Sequence, residues 1–189
     1  MNVKFDPFER TIAASYFDGT IKLFEVGSGK LKCVMNADLN PEYAVNNIRW
    51  RPGNSLGESD TLISVDVQGN IKSWNSEKGK ERACITLPDV QLSGLDYKPD
   101  GTQFVVAGSD KVPKLYDDTT MKMVTELDTF NSGHAGHSNR IFCAKFDPSD
   151  GNIVLTGGWD NTVIIHDLRQ KGPVRGILGA VVLGDAIDI

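Results

Sequence analysis

Long apolar runs are missing from this 189-residue chain, and so is any surplus of positive charge. No stretch approaches the roughly 20 apolar residues that a helix needs to cross a bilayer, so no membrane segment is expected. The opening MNVKFDPFER goes directly into a strand-like pattern and lacks the basic-then-apolar order of a secretory leader. Twenty basic against 25 acidic side chains, interspersed to a net charge of -5, provide no footprint for a polyanion, and nucleic-acid binding is not expected. Cysteine is scarce and scattered: Cys33, Cys84 and Cys143 belong to no CxxC cluster. An odd, dispersed set reads as reduced core thiols in a cytoplasmic protein. His134 and His137 in GHAGH are too few for a zinc site, which wants three or four ligands, so neither metal nor cofactor is expected. The GSGK at 27–30 lacks the remainder of a phosphate-binding loop and reads as a hairpin turn.

What the chain does have is repetition, with 40% apolar residues, enough for a core. An aromatic-x-Pro element recurs as FDP at 5–7, WRP at 50–52, YKP at 97–99 and FDP at 146–148, its prolines 45, 47 and 49 residues apart. Downstream of each come a strand, a turn and a second strand: YFDGTIKLFE, DVQGNIKSWN, GSDKVPKLYD and GWDNTVIIHD. Apolar residues alternate with period two, as in Val3 and Phe5, Ile48 and Trp50, Leu95 and Tyr97, and Ala144 and Phe146. Each copy therefore reads as four short antiparallel strands. The turn between the second and third is Asp18-Gly19, Gln68-Gly69, Asp110-Lys111 or Asp160-Asn161, mostly pairs that tolerate positive φ, with Lys111 the exception. Pro113 cannot donate to a flanked strand, so the third copy should be locally distorted.

Such a unit cannot bury both faces alone, so copies must pack against one another. Here the sequence resembles the WD-repeat β-propeller family, most fully in GHSNRIFCAKFDPSDGNIVLTGGWDNTVIIHD. The resemblance implies an all-β fold of four-stranded antiparallel blades at about 1–36, 45–87, 92–127 and 137–179, with the first strand of a fifth at 180–189. It further implies about half of a seven- or eight-bladed ring, which a missing segment or a second chain would complete.

In that family a His, a Ser or Thr, a turn Asp and a Trp form a hydrogen-bonded chain that locks each blade. The resemblance places His137, Thr156 and Asp160 in these roles in the fourth copy, with His166 where the Trp would stand. Ser64 and Trp74 keep part of it in the second copy; Asp18 and Asp110 hold the turn in the first and third. Pro41 and Pro88 replace the histidine, and Ala14 and Val106 the hydroxyl. A catalytic triad of His137, Asp160 and Thr156 is the rival reading, but structural braces explain the same residues together with their place in a repeat.

Propellers of this type dock partners on the face formed by these turns and the loops between blades. Phe17 and Trp159 precede turn aspartates there, and Tyr43, Phe130 and Arg140 lie in or beside the connecting loops. Arg140 is suited to fork to a carboxylate of an acidic peptide or to pair with a neighbouring Asp. The expected function is a non-catalytic scaffold for protein partners, cytoplasmic, with a resemblance to cytoskeletal and ciliary propellers. Two alternatives stand beside it: a hydrolase-like propeller with an axial metal, and an RNA-binding propeller. The innermost strands offer Asn46, Asn47, Ser93, Asp96 and Cys143, which make no coordination set.

Overall fold

The computed structural model describes residues 2–36, 43–53, 60–127, 135–170 and 172–189, and among these it contains strands and no helix. The first sheet runs in the order β1 (Val3–Phe5), β2 (Thr11–Ser15), β3 (Thr20–Glu25) and β4 (Leu31–Asn36). The second comprises β5 (Val45–Trp50), β6 (Thr61–Asp66), β7 (Asn70–Asn75) and β8 (Lys80–Thr86). The third comprises β9 (Leu92–Tyr97), β10 (Gln103–Gly108), β11 (Lys114–Asp117) and β12 (Met123–Glu126). The fourth comprises β13 (Ile141–Phe146), β14 (Ile153–Gly158), β15 (Thr162–Asp167) and β16 (Gly172–Leu178). Every sheet pairs its strands antiparallel in sequence order, one sheet per repeat.

The sheets form two compact units, residues 1–89 and 90–189. In the first unit, Ala13, Ile21, Leu23 and Met35 on one face of the first sheet meet Val45, Ile48, Trp50, Leu62 and Trp74 of the second. The opposite face of the first sheet, carrying Val3, Phe5, Ile12 and Phe24 in register, has no sheet of its own unit upon it. Val3 and Phe5, whose alternation marks an apolar strand, are accordingly exposed. In the second unit, Val105, Ala107, Leu115 and Leu127 pack on Ile141, Ala144, Phe146 and Val154. Burying each such side chain contributes about 1.5–3 kcal/mol before the entropy of ordering is subtracted. Gly94 permits the approach of β9 to β13, because a Cβ there would stand 3.1 Å from the Ala144 amide nitrogen.

Exposure rises toward the fourth strand of each sheet, as the pattern of β8 shows. This corrects the expectation of three core thiols: Cys143 is buried, whereas Cys33 on β4 is half-buried and Cys84 on β8 is exposed. Burial pushes the Cys143 thiol up to about 11, so it stays protonated.

The hairpins between second and third strands all place their second residue in the left-handed region: Gly19 at φ 76, Gly69 at 81, Lys111 at 69 and Asn161 at 57. Lys111 obeys the turn geometry although its side chain disfavours it. Pro113 keeps its copy irregular, for β11 begins only at Lys114 and Pro113 instead accepts the Leu127 amide at 2.8 Å.

The expected opening strand at 180–189 is not formed; the segment is irregular. Val182 packs on Gly157, where an added Cβ would meet it at 2.7 Å, and the Cys143 thiol donates to Asp185 at 3.5 Å. The segment thereby lies against the face of the fourth sheet that is turned away from the third.

Lys111→Gly should raise stability by about 1 kcal/mol in urea titration, because glycine relieves the left-handed strain.

Candidate functional site

The fourth sheet holds a continuous polar chain inside an apolar core. The side chain of Asp160, in the β14–β15 hairpin, lies 2.9 Å from His137 Nδ1 through Oδ2. It also accepts the Ser138 amide at 2.8 Å and the Thr162 hydroxyl at 2.6 Å. Burial opposes its charge, but the bonds from Thr162, Ser138 and His137 prevail and hold the carboxyl below the usual carboxylate range. On the other side of the ring, His137 Nε2 lies 2.8 Å from Thr156 Oγ1, which in turn lies 2.8 Å from His166 Nε2.

One proton arrangement satisfies this line. A carboxylate only accepts, so His137 donates from Nδ1, and its Nε2 accepts from the Thr156 hydroxyl. Thr156 then has no proton left for His166, which must donate from Nε2. His166 Nδ1 is the bare acceptor left over, buried and without a partner. Burial, with the His137 ring nearby, pushes the His166 pKa down to about 3.

The chain cannot operate as a reagent in this conformation. Thr156 is fully buried and the His137 side chain has no exposure, so no substrate carbonyl can reach the hydroxyl. Among the described residues no cluster of His, Cys, Asp or Glu is suited to hold a metal ion. His134 and Phe130 lie outside the described residues. The GSGK turn is a β3–β4 hairpin, with the Gly29 amide donating to Glu25 O at 2.8 Å.

The remaining sheets solve the same problem with other residues. Trp74 Nε1 donates to Ser64 Oγ at 2.8 Å, matching His166 on Thr156 ten residues earlier. At the same spacing the first and third sheets set Phe24 with Ala14 and Tyr116 with Val106. An N–H donor faces a hydroxyl, and an aromatic ring without N–H faces hydrocarbon. Asp18 caps only its own hairpin, accepting from the Thr20 amide at 3.0 Å and hydroxyl at 2.7 Å. In the second sheet Asp66 takes the place left by Gln68, accepting the Gln68 and Asn70 amides, both at 2.9 Å. Asp110 pairs with the largely buried Lys114, leaving its Oδ1 without a partner. Sequence reasoning missed Asp66 and Lys114. The signal was present, for Lys22, Lys72 and Lys114 all stand two residues before the third-strand aromatic.

The hairpin end of each unit carries the residues considered for docking. In the first unit, Tyr16 O accepts the Val45 amide and Ala44 O accepts the Val67 amide, both at 3.4 Å, which draws the hairpins together. Phe17 is 67% exposed there, and Tyr43 is half-buried beside Ala44. In the second unit Trp159 is 54% exposed, edge-on to Phe142 at 5.9 Å, with the Arg140 guanidinium 5.8 Å from its ring. Arg140 also donates to Gln91 Oε1 at 3.3 Å. Trp159 thus combines lateral packing with exposure. Phe142 and Gln91 were not legible as site residues.

Comparison with known proteins agrees with this geometry. A family profile described as "WD domain, G-beta repeat" matches residues 125–167, most of the sheet that carries the full polar chain. A chain in the crystal structure of the mitotic checkpoint complex superposes with a TM-score of 0.78 at 17% identity, over 94% of this chain and 50% of that one. Residues 125–167 form a WD repeat, and the chain is similar to WD-repeat β-propeller proteins. Among WD-repeat relatives, the WD40 repeat protein poxJ of Penicillium oxalicum is 28% identical over 138 residues, 71% of this chain and 37% of its own. The ribosome biogenesis protein YTM1 of Laccaria bicolor is 26% identical over 114 residues, 60% of this chain and 25% of its own. The chain thus spans a quarter to a half of the length of these proteins. Within the WD-repeat pattern its blades diverge in how the polar brace is made, while strand order and hairpin geometry are kept.

Thr156→Val should cost about 2–5 kcal/mol by denaturant titration, since it leaves both imidazoles without their shared partner. Acid should also weaken the fold. The unfolded chain protonates His166 near pH 6.5, whereas the folded chain does so only near 3. Its contribution is therefore complete above about pH 6.5 and declines as pH falls toward 3, amounting to a loss of about 2 kcal/mol between pH 7 and 5. His166→Trp, which copies the Trp74 solution, should flatten this part of the stability profile.

Proposed function

We propose that the protein is a non-catalytic, cytoplasmic scaffold that docks protein partners on the hairpin ends of its blades. Phe17 and Tyr43 serve in the first unit, Trp159 and Arg140 in the second. The observation that carries this reading is the exposure of Phe17 and Trp159, large aromatics on rigid two-residue hairpins with their rings toward solvent. An exposed apolar ring at such a place gains free energy when a partner removes it from water, and aromatic residues dominate interface hot spots.

The burial of the His137, Thr156 and Asp160 line supports a scaffold over a hydrolase, because the strongest candidate chemistry is enclosed within a blade. The fold shared with a chain of the mitotic checkpoint complex supports the same reading by analogy, since that protein occupies a multiprotein assembly. The mixed surface charge favours protein partners over polyanions.

Trp159→Ala and Phe17→Ala should each leave stability within about 0.5 kcal/mol of the parent and reduce partner affinity by roughly thirtyfold, the effect of about 2 kcal/mol at a hot spot. Affinity capture followed by titration of the recovered proteins checks this. Partners held equally by the parent and both variants would contradict the assignment of the docking face.

A further inference from the structure

Among the described residues, two cations at the hairpin end of the second unit have no carboxylate partner. Arg140 reaches Gln91 Oε1 and the ring of Trp159, and among the described residues it forms no ion pair. Lys111 is exposed at the tip of the β10–β11 hairpin, where its amide donates to Gly108 O and its ammonium has no ion pair among the described residues. The carboxylates of the same hairpins are already engaged, Asp110 by Lys114 and Asp160 by His137. These cations belong to one ridge. Ser109, two residues from Lys111, donates its amide to Gln91 O at 2.9 Å, and its hydroxyl accepts the Gln91 amide at 2.9 Å. Gln91 in turn accepts from Arg140, which lies over Trp159, whose ring meets Phe142 edge-on.

Lys111 supplies a second, independent observation. The equivalent residues of the other hairpins are Gly19, Gly69 and Asn161, the types that enter the left-handed region with least strain. A lysine at φ 69 retains a penalty that a glycine would remove, with no compensating contact within the described protein. Strain kept at an exposed position points outward, to something the side chain meets.

We propose that this ridge binds an acidic peptide in which a carboxylate side chain stands next to a bulky apolar one. The carboxylate meets the Arg140 fork, with Lys111 adding attraction from the neighbouring hairpin, and the apolar group covers the exposed edge of Trp159 and Phe142. A single-stranded nucleic acid is the less favoured occupant. Base stacking needs an open ring face, and the guanidinium of Arg140 lies over that of Trp159. The proposal rests on the docking role assigned above and specifies the chemistry of the occupant.

The test is selection from a phage-displayed library of short random peptides against the full chain, followed by fluorescence polarisation with the enriched peptides at low and high salt. A poly(U) oligonucleotide serves as a parallel probe. Enriched peptides should carry Asp or Glu beside Leu, Phe or Trp and bind more weakly as salt rises. Arg140→Gln should lower their affinity at least about tenfold, and Lys111→Gly, a variant expected to fold more stably than the parent, about threefold. Peptides that depend on Trp159 but show no acidic preference would overturn this proposal and leave the docking role standing. Failure to recover any peptide that depends on Trp159 would overturn both. Binding of poly(U) that depends on Trp159, without binding of acidic peptides, would replace the proposal with a nucleic-acid surface.

Discussion

A buried N–H on the third strand of a blade must find an acceptor on the second, and this constraint organises the interior of the molecule. In the second and fourth sheets the third-strand side chains, Trp74 and His166, are buried out of reach of water. Where that residue is Trp74 or His166, a hydroxyl stands ten residues earlier to receive the proton, Ser64 or Thr156. Where it is Phe24 or Tyr116, which carry no ring N–H, the partner position is Ala14 or Val106. The two positions vary together because a mismatch leaves a polar group unpaired in a low-dielectric interior.

The same rule accounts for the unequal elaboration of the blades. Only in the fourth does the line extend past the hydroxyl to a second imidazole and a carboxylate, which ties the β14–β15 hairpin to the segment before β13. In the third blade the turn carboxylate finds Lys114, which reaches up from the strand beneath it. In the second, Asp66 substitutes for a turn aspartate by capping the hairpin amides from two residues upstream. The braces differ in composition, but each positions a hairpin. Hairpins fixed in this way present Phe17, Trp159 and Lys111 at defined places, and that links the interior chemistry to the proposed docking ridge.

The four strands of each blade and their order were legible because they follow from period-two alternation and from aromatic-Pro elements about one blade apart. The line through His137, Thr156 and Asp160 was legible through family resemblance, and the departure at His166 was visible as a residue type out of pattern. Other features depended on partners that lie far apart in sequence. Val3 and Phe5 have the alternation of buried residues, yet their exposure is decided by which face receives a neighbouring sheet. The 180–189 segment has the composition of a strand, but packing of Val182 on Gly157 and the bond from Cys143 to Asp185 lay it down as an irregular cover. The ridge through Gln91, Arg140 and Phe142 joins the starts of β9 and β13, 49 residues apart, and no local pattern announces it. Lys114 departs from the family pattern, in which a histidine meets the turn carboxylate; here an ammonium does so.

The central claim is that His137 and His166 are internal braces, each directing a proton from a defined nitrogen. Nitrogen-15 NMR of the imidazoles reads this directly, and with three histidines in the chain the spectrum is simple. At neutral pH the account predicts a proton on His137 Nδ1 and on His166 Nε2, both slow to exchange with solvent, with His166 remaining neutral as the pH is lowered to 5. A His166 that titrates near pH 6.5, or a His137 whose ring protons exchange as freely as those of an exposed imidazole, would contradict it.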